Sequence, residues 1–568
     1  MNPRLQNVAS PSPDSSSEAE LIAQLQEVVG EAWVLTSLPD RIAYARDCWP
    51  QGIILVRGGT VMLYRPSCIV QPADEAEVAA VIAVCRAAKV PLVPYGAGSG
   101  VCGGTVPDKG GVIVDVKRMN AVKALDAESL LVRVGAGAIG MDLETELLRR
   151  GYTLGHYPSS LYCSSVGGYL AARSAGQQSS RFGKIEDMVQ TLRFVTGTGA
   201  IMDTAPGAGA DRWGGGLDLT QLVIGSEGTL GVITEATLRI HPKAEVQDYR
   251  GYRCPTIEQG VAAQREIMQA GLRPCVIRLY DEFDTLIAGH GGKEMEKEKE
   301  KEDKHRKKRG GALGLPDRLM AGIYRAAKRA LPQDVSWIQG VVPDFGSSVS
   351  RAAIGLLSRA IGQPLILNQL SDALPGGCLL VIGFEGPDGP TQREARAAYD
   401  ILDSYGFDLG KGPGEHWLKN RFNVSYKQSP MFDAGAFVDT MEVATTWSNL
   451  LPLYYTVKEA VAEHAFIMAH FSHAYNEGAS IYFTFAGFGA DTEESLANYK
   501  ATWAAAQEAV LSCNATVSHH HGVGISKAAN VPRDHRGGRP LFDALKVGLD
   551  PDGIMNPGKV WTQVEVLP

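Results

Sequence analysis

The stretch Pro94-Tyr95-Gly96-Ala97-Gly98-Ser99-Gly100-Val101-Cys102-Gly103-Gly104 carries five glycines in nine residues. Glycine accepts positive φ and lets the backbone approach a ligand closely. Consecutive amides in such a turn form an anion-binding concavity suited to a pyrophosphate. Gly98, Gly100 and Gly103 also answer to G-x-G-x-x-G, but a Rossmann fingerprint opens a helix directly. Here the turn-rich Thr105-Val106-Pro107-Asp108-Lys109-Gly110-Gly111 follows, then the strand-like Val112-Ile113-Val114-Asp115-Val116. The loop therefore joins two strands, and the Rossmann reading fails.

A second group of residues could move protons. In Ser480-Ile481-Tyr482-Phe483-Thr484-Phe485, Ile481, Phe483 and Phe485 point to one face of a strand and Tyr482 to the other. A phenol there can serve as general acid or base if nearby cations lower its pKa, or can simply be a structural hydroxyl. The run His519-His520-His521-Gly522-Val523-Gly524 is the other candidate. On an extended chain His519 and His521 share a face and His520 opposes them. A metal site using His470 and His473 competes with a surface histidine run, but neither cluster has a carboxylate or cysteine at ligand spacing. Arg278 and Arg421 each follow an apolar or aromatic segment, and arginine suits bidentate phosphate binding.

These residues need elements to hold them. Residues 18–35 read as helical, and Glu75 to Ala88 as a helix with Val78, Val81, Ile82 and Cys85 on one face. Pro91-Leu92-Val93 and Leu130–Val134 read as strands, and Met141 to Arg149 as a helix stopped by Gly151. Cys378–Phe384 reads as a buried strand, followed by a helix from Thr391 to Tyr405. This pattern predicts an α+β protein: a lead-in at 1–17, a helical segment at 18–64, a cofactor domain at 65–243, a cap at 244–515 and a closing segment at 516–568. Within the cap, 292–310 is a Lys/Glu-rich insertion. Residues 319–331 then form a basic amphipathic pattern, suited either to peripheral contact with an anionic membrane or to packing on its own domain.

Bulk composition narrows the classes. A chain of 568 residues exceeds one core. A formal charge of −8 argues against a nucleic-acid partner. Nine scattered cysteines without Cys-x-x-Cys spacing read as reduced thiols in a reducing, cytoplasmic setting. The sequence presents no signal-peptide core, no transmembrane run and no peroxisomal tripeptide.

Three motifs in order, the Pro94–Gly104 loop, Gly155–Ser160 with Ser164–Gly168, and Gly225–Ile233, resemble the FAD-binding domain of the vanillyl-alcohol oxidase / p-cresol methylhydroxylase superfamily. Leu549–Lys559 resembles the C-terminal signature of FAD-linked oxidases, a segment that closes over the cofactor domain. The resemblance implies a two-part FAD-binding domain with an α+β cap. It implies FAD contacts from Pro94, Tyr95, Gly96, Ala97, Gly98, Ser99 and Gly100, and from Ser159, Ser160, Leu161, Tyr162, Cys163, Ser164 and Ser165. Further contacts fall to Ala172, Arg173, Ser174 and Ala175, and to Glu227, Gly228, Thr229, Leu230, Gly231, Val232 and Ile233. No histidine lies in the glycine loop, where covalent attachment is often found, so non-covalent FAD is expected.

Ser180–Val189, Val276–Leu279, Asp439–Glu442, Thr445–Trp447, Ser472-His473, Gly478–Phe483 and the triple histidine resemble the alkylglycerone-phosphate synthase family. FAD-linked hydroxy-acid dehydrogenases carry Glu-His-Gly where this chain has His520-His521-Gly522. The resemblance implies replacement of the acyl group of acyl-dihydroxyacetone phosphate by a long-chain alcohol. That exchange would be redox-neutral, through a bond between flavin N5 and substrate C1, in a protein that is often a homodimer. Tyr482 matches the proton donor and acceptor, His519, His520 and His521 the essential histidines, and Arg278 an activity-critical arginine. Arg421 matches the phosphate-binding arginine. Gln428 stands where the family's Tyr-x-Arg-Asp element has arginine, leaving Lys427 as the neighbouring cation. The alternative is an FAD-linked oxidase or dehydrogenase of a 2-hydroxy acid or related alcohol, with one histidine as base.

Overall fold

The computed structural model describes residues 15–62, 64–205, 216–287, 363–372, 377–423, 431–432 and 435–561. The insertion at 292–310, the amphipathic pattern at 319–331, and Lys427 with Gln428 lie outside the described residues.

The first sheet contains β1 (Val34–Leu35), β2 (Cys68–Val70), β3 (Leu92–Tyr95) and β4 (Val112–Asp115), in the order β1-β2-β4-β3. The glycine loop runs from β3 to β4, which pair in parallel with no helix between them, as expected from the turn residues after Gly104. The helix Glu75–Ala88 packs here because Val78, Val81, Ile82 and Cys85 form one fully buried stripe. Asp74 caps it by accepting from the Glu77 amide. Residues 18–35 are not one helix. The helix Ser15–Val29 ends at Gly30, whose φ of +89° an L-residue resists, and a single 3-10 turn leads into β1.

The second sheet follows with β5 (Val122–Asp126), β6 (Leu131–Gly135), β8 (Val189–Thr196), β9 (Ile201–Asp203) and β10 (Gly231–Arg239), in the order β5-β6-β10-β8-β9. A short pair, β7 (Tyr152–Thr153) with β11 (His241–Pro242), sits beside it. These two sheets share one hydrophobic core with the helices of the N-terminal half.

The remaining strands are β12 (Val246–Cys254), β13 (Val276–Tyr280), β14 (Cys378–Gly386), β15 (Phe407–Asp408), β16 (Ala436–Thr446), β17 (Phe466–Ser472) and β18 (Gly478–Phe488). They form an antiparallel sheet in the order β15-β12-β14-β13-β17-β18-β16. Helices Ile257–Gln269, Pro390–Leu402, Trp447–Val461 and Thr492–Ser512 cover its apolar face. On β18, Ile481, Phe483 and Phe485 are fully buried in that core. Each such side chain contributes about 1.5–3 kcal/mol, which locks the strand's register and aims Tyr482 and Thr484 the other way.

The C-terminal segment binds back to the first sheet. The Leu92 amide donates to the Ile554 carbonyl at 2.8 Å and the Asn556 amide to the Leu92 carbonyl at 2.8 Å. Asn556 Nδ2 also bonds the Gly104 and Glu227 carbonyls, at 2.9 and 2.6 Å.

Candidate active site

Cross-strand register assembles the polar face of the large sheet. Glu442, Tyr482, His470 and Tyr280 are successive partners across β16, β18, β17 and β13. Paired residues share a face, so residues far apart in sequence stand in one row. The His470 ring stacks on Tyr482, centroids 4.8 Å apart and planes 17° from parallel. Arg278, also on β13, reaches His470 Nε2 through Nη2 at 2.5 Å, and His470 Nδ1 contacts Asp284 Oδ2 at 3.0 Å. Because guanidinium can only donate, His470 accepts at Nε2 and carries its proton at Nδ1, toward Asp284.

The histidine run bends, and the extended-chain expectation is wrong. The amides of His519, His520 and His521 all donate to one oxygen, Glu442 Oε1, at 3.2, 3.1 and 2.8 Å. That convergence curls the backbone, so the three rings no longer alternate. His520 and His521 lie 6.1 and 5.4 Å from the Tyr482 ring, and His519 Nδ1 meets His520 Nδ1 at 2.9 Å. His473 joins them, 5.4 and 4.9 Å from His519 and His520, with Nδ1 held by Ser179 Oγ at 2.7 Å. Its φ of +51° is unusual for a side-chain-bearing residue. Among the described residues, no group of His, Cys, Asp or Glu is arranged to hold a metal ion.

The electrostatics differ from the expectation as well. Burial pushes the Tyr482 phenol up to about 12, so it is neutral at physiological pH and not a lowered-pKa phenolate. Its hydroxyl donates to Thr440 Oγ1 at 3.0 Å. Burial holds His519 and His520 well below the usual imidazole range and His473 at about 3. The site thus presents a neutral hydroxyl, able to donate a proton, beside neutral imidazoles, able to accept one. Arg278 supplies a fixed cation, and its Nε is buried without a hydrogen-bond partner among the described residues.

Arg421 stands apart from this cluster. It ends the helix Gly412–Asn420, and its guanidinium lies over Tyr157 and Phe422, 4.7 and 4.9 Å from the centroids. Its carbonyl accepts from Gln177, and its Nη1 is another buried donor without a partner among the described residues. It therefore faces the Gly155–Ser160 motif.

The glycine loop fits a dinucleotide. A Cβ on Gly96 would lie 2.2 Å from Ser165 Oγ, and one on Gly98, at φ +67°, would lie 2.0 Å from Tyr95 Oη. Among the described residues, no protein acceptor takes the amides of Ala97 to Val101. Nearby, Ser165 caps the helix Val166–Ala172 by accepting from the Gly168 amide. Ser160 and Ser164 bond each other, and Ser174 Oγ meets His156 Nε2 at 3.2 Å. Arg173, in left-handed conformation, pairs with Glu186 at 3.4 Å, on the outside of this turn. Gly228 passes Pro94 so closely that a Cβ would come within 2.7 Å of its ring. The Glu227 carboxylate takes the amides of Val523 and Gly524 at 2.5 and 2.9 Å, tying the histidine loop to the turn before β10.

Sequence reasoning misses Lys527 and Asp284, and it reads His470 and His473 only as rival metal ligands, Glu227 only as an FAD contact and Glu442 only as part of a motif. The Asp439–Glu442 and Ser472-His473 motifs contain two of them, but only pairing across the sheet reveals their use.

Residues 66–205 match the FAD binding domain family, and residues 243–307 and 348–560 match the C-terminal domain of FAD linked oxidases. The chain is 29% identical over 520 residues to the alkyldihydroxyacetonephosphate synthase of Dictyostelium discoideum, covering 89% of this chain and 75% of that one. It is 27% identical to the enzyme of that name from Trypanosoma brucei brucei, covering 91% and 75%. A glycolate oxidase subunit of Bacillus subtilis is 30% identical but covers only 46% of this chain and 54% of its own. In fold, an alkyldihydroxyacetonephosphate synthase structure superposes with a TM-score of 0.70 at 24% identity, over 98% of this chain and 87% of that one. p-Cresol methylhydroxylase superposes at 0.68 and 13% identity, over 97% and 98%. The α+β fold, the glycine cradle and these relatives agree: the chain carries an FAD binding domain and the C-terminal domain of FAD linked oxidases, shares the fold of p-cresol methylhydroxylase, and is an FAD-dependent, alkylglycerone-phosphate synthase-like enzyme.

Proposed function

We propose that the protein exchanges the acyl chain of acyl-dihydroxyacetone phosphate for a long-chain alcohol, releasing fatty acid, with no net redox change. The observation that carries this reading is the stack of His470, Tyr482 and His520 beside Arg278, a neutral proton-transfer array on a cationic anchor. Bound FAD supplies the reactive ring against which the substrate carbon is held. The Ala97–Val101 amides would receive its pyrophosphate. We read the cofactor as non-covalent, because Pro94–Gly104 offers no histidine for attachment.

In this reading Arg421 Nη1, a buried donor with no partner among the described residues, binds the substrate phosphate, with Lys427 as the sequence's other candidate. Arg278 Nε, the second such donor, anchors the departing carboxylate. The Tyr482 hydroxyl donates and recovers the proton at the substrate carbon. A neutral imidazole, His520 or its Nδ1-linked neighbour His519, takes the proton of the incoming alcohol. The sum is acyl substrate plus alcohol giving ether product, carboxylate and a proton.

The deciding experiment incubates purified yellow protein with palmitoyl-dihydroxyacetone phosphate and labelled hexadecanol, without an electron acceptor. Label in alkyl-dihydroxyacetone phosphate supports the reading. Absence of label, with flavin bleaching by a 2-hydroxy acid, replaces it with the oxidase alternative. Acid precipitation checks the cofactor linkage: flavin should stay in the supernatant.

A further inference from the structure

We infer that Glu442 is a positioning residue of this site: its carboxylate, delivered by β16, gathers the His519–His521 backbone into an arc that packs three consecutive imidazoles against one another. Successive amides of an extended chain point to opposite sides. Here three in a row reach a single oxygen, and Ser518 Oγ donates to the same atom at 2.7 Å. Hydrogen bonds to an ionised acceptor are roughly twice as strong as neutral ones, so one carboxylate can hold a curve that water would otherwise relax.

Lys527 keeps that carboxylate ionised. Its Nζ lies 3.1 and 2.9 Å from the two Glu442 oxygens and 3.1 Å from Ser518 Oγ. Both side chains are fully buried. Burial opposes ionisation of Glu442, but the fields of His521 and Lys527 outweigh it and hold the group well below the ordinary carboxylate range. His521 Nδ1 lies 3.1 Å from the second oxygen.

Position also argues for this role. Glu442 stands directly opposite Tyr482 in the β16–β18 register, so the residue that shapes the histidine loop shares a rung with the phenol. The loop's ends are held from the cofactor domain. Lys184 Nζ donates to the His519 carbonyl at 2.6 Å, and Glu227 takes the Val523 and Gly524 amides. From the cap, Ala444 takes the Thr516 amide and Tyr475 meets His519 Nε2, but Glu442 is the group on which the three histidine amides converge. A buried ion pair is weak evidence for stability by itself, whereas converging three amides serves geometry.

The inference rests on the reading that these histidines act in the exchange, and the test separates the two. Glu442→Gln keeps side-chain volume and one acceptor oxygen but removes the charge. Hydrogen exchange of the peptide covering 516–525 should quicken by about tenfold or more, with the rest of the chain unchanged. The kcat for alkyl exchange should fall about 100-fold while KM stays within about threefold and FAD stays bound. The double variant Glu442→Gln/Lys527→Met removes both charges; it should regain thermal stability lost by the single variant, yet not its turnover. It also serves if the single variant does not fold. Unchanged exchange at 516–525, or turnover restored in the double variant, would overturn the inference and leave a purely structural pair. A wild-type protein without alkyl exchange would sink the proposed function, while the hydrogen-exchange result would still decide the role of Glu442.

Discussion

In the Pro94–Gly104 loop the side chains withdraw and the backbone is left open, whereas on the polar face of the large sheet the backbone is paired and side chains from four strands converge. The first region excludes Cβ atoms: Gly96 and Gly98 have no room for one. The second demands particular functional groups: Arg278, His470, Tyr482 and Glu442 each need their own atoms at their own distances. A backbone-built region suits an invariant ligand such as a pyrophosphate. A side-chain-built region can set proton positions, because rings and carboxylates have defined donors and acceptors.

The comparison breaks most sharply at Tyr482. Tyr482→Phe keeps the ring stack and removes only the hydroxyl. Alkyl exchange should fall by about 10³-fold while FAD absorbance is unchanged, and stability should drop by no more than about 1 kcal/mol. Retained activity would remove the phenol from the mechanism.

Lys527→Met strands the Glu442 charge in the core. A loss of about 3–5 kcal/mol in denaturant unfolding is expected; a smaller loss would mean that Glu442 is neutral when buried.

Asp284 tests whether the sheet face titrates where the glycine loop does not. Burial lifts its carboxyl to about 7, partly offset by the charge of Arg278. Its folded-state pKa exceeds its unfolded value, so its stabilising share is whole below about pH 4 and is lost as pH rises through 7. Asp284→Asn removes that slope. Relative to wild type, the variant should gain on the order of 2 kcal/mol between pH 5 and pH 8, read as the difference in unfolding free energy. A difference that stays flat with pH would place the titration elsewhere.

The mildest change concerns the backbone region. Gly98→Ala meets Tyr95 Oη and a φ of +67°. FAD affinity should weaken by about tenfold, measured by fluorescence titration of apoprotein, with kcat of the loaded enzyme little altered. A large kcat loss at full FAD occupancy would show that the two regions are not separable.

Much of this is legible in the chain alone. The strand–loop–strand reading of the glycine motif, the buried stripe Val78, Val81, Ile82 and Cys85, and the alternation around Tyr482 all rest on short-range periodicity, and the structure has each of them. Two local readings failed, one for a local reason and one for a long-range one. Gly30 broke the helix expected over 18–35, and three amides converging on a distant carboxylate bent a histidine run that spacing alone treats as extended. The phenol, expected to be useful if cations lowered its pKa, is instead raised by burial, a property of the enclosure rather than of its neighbours in sequence.

The sequence by itself determined which segments expose backbone and which strand face is apolar, because glycine content and a two-residue alternation are local properties of the chain. The tertiary structure alone decided that Glu442 faces Tyr482, that His470 stacks on it, and that Arg278 and Asp284 bracket His470. Those pairings join residues from four strands. Their register comes from burying Ile481, Phe483 and Phe485 against the covering helices, a long-range packing constraint that no window of sequence contains.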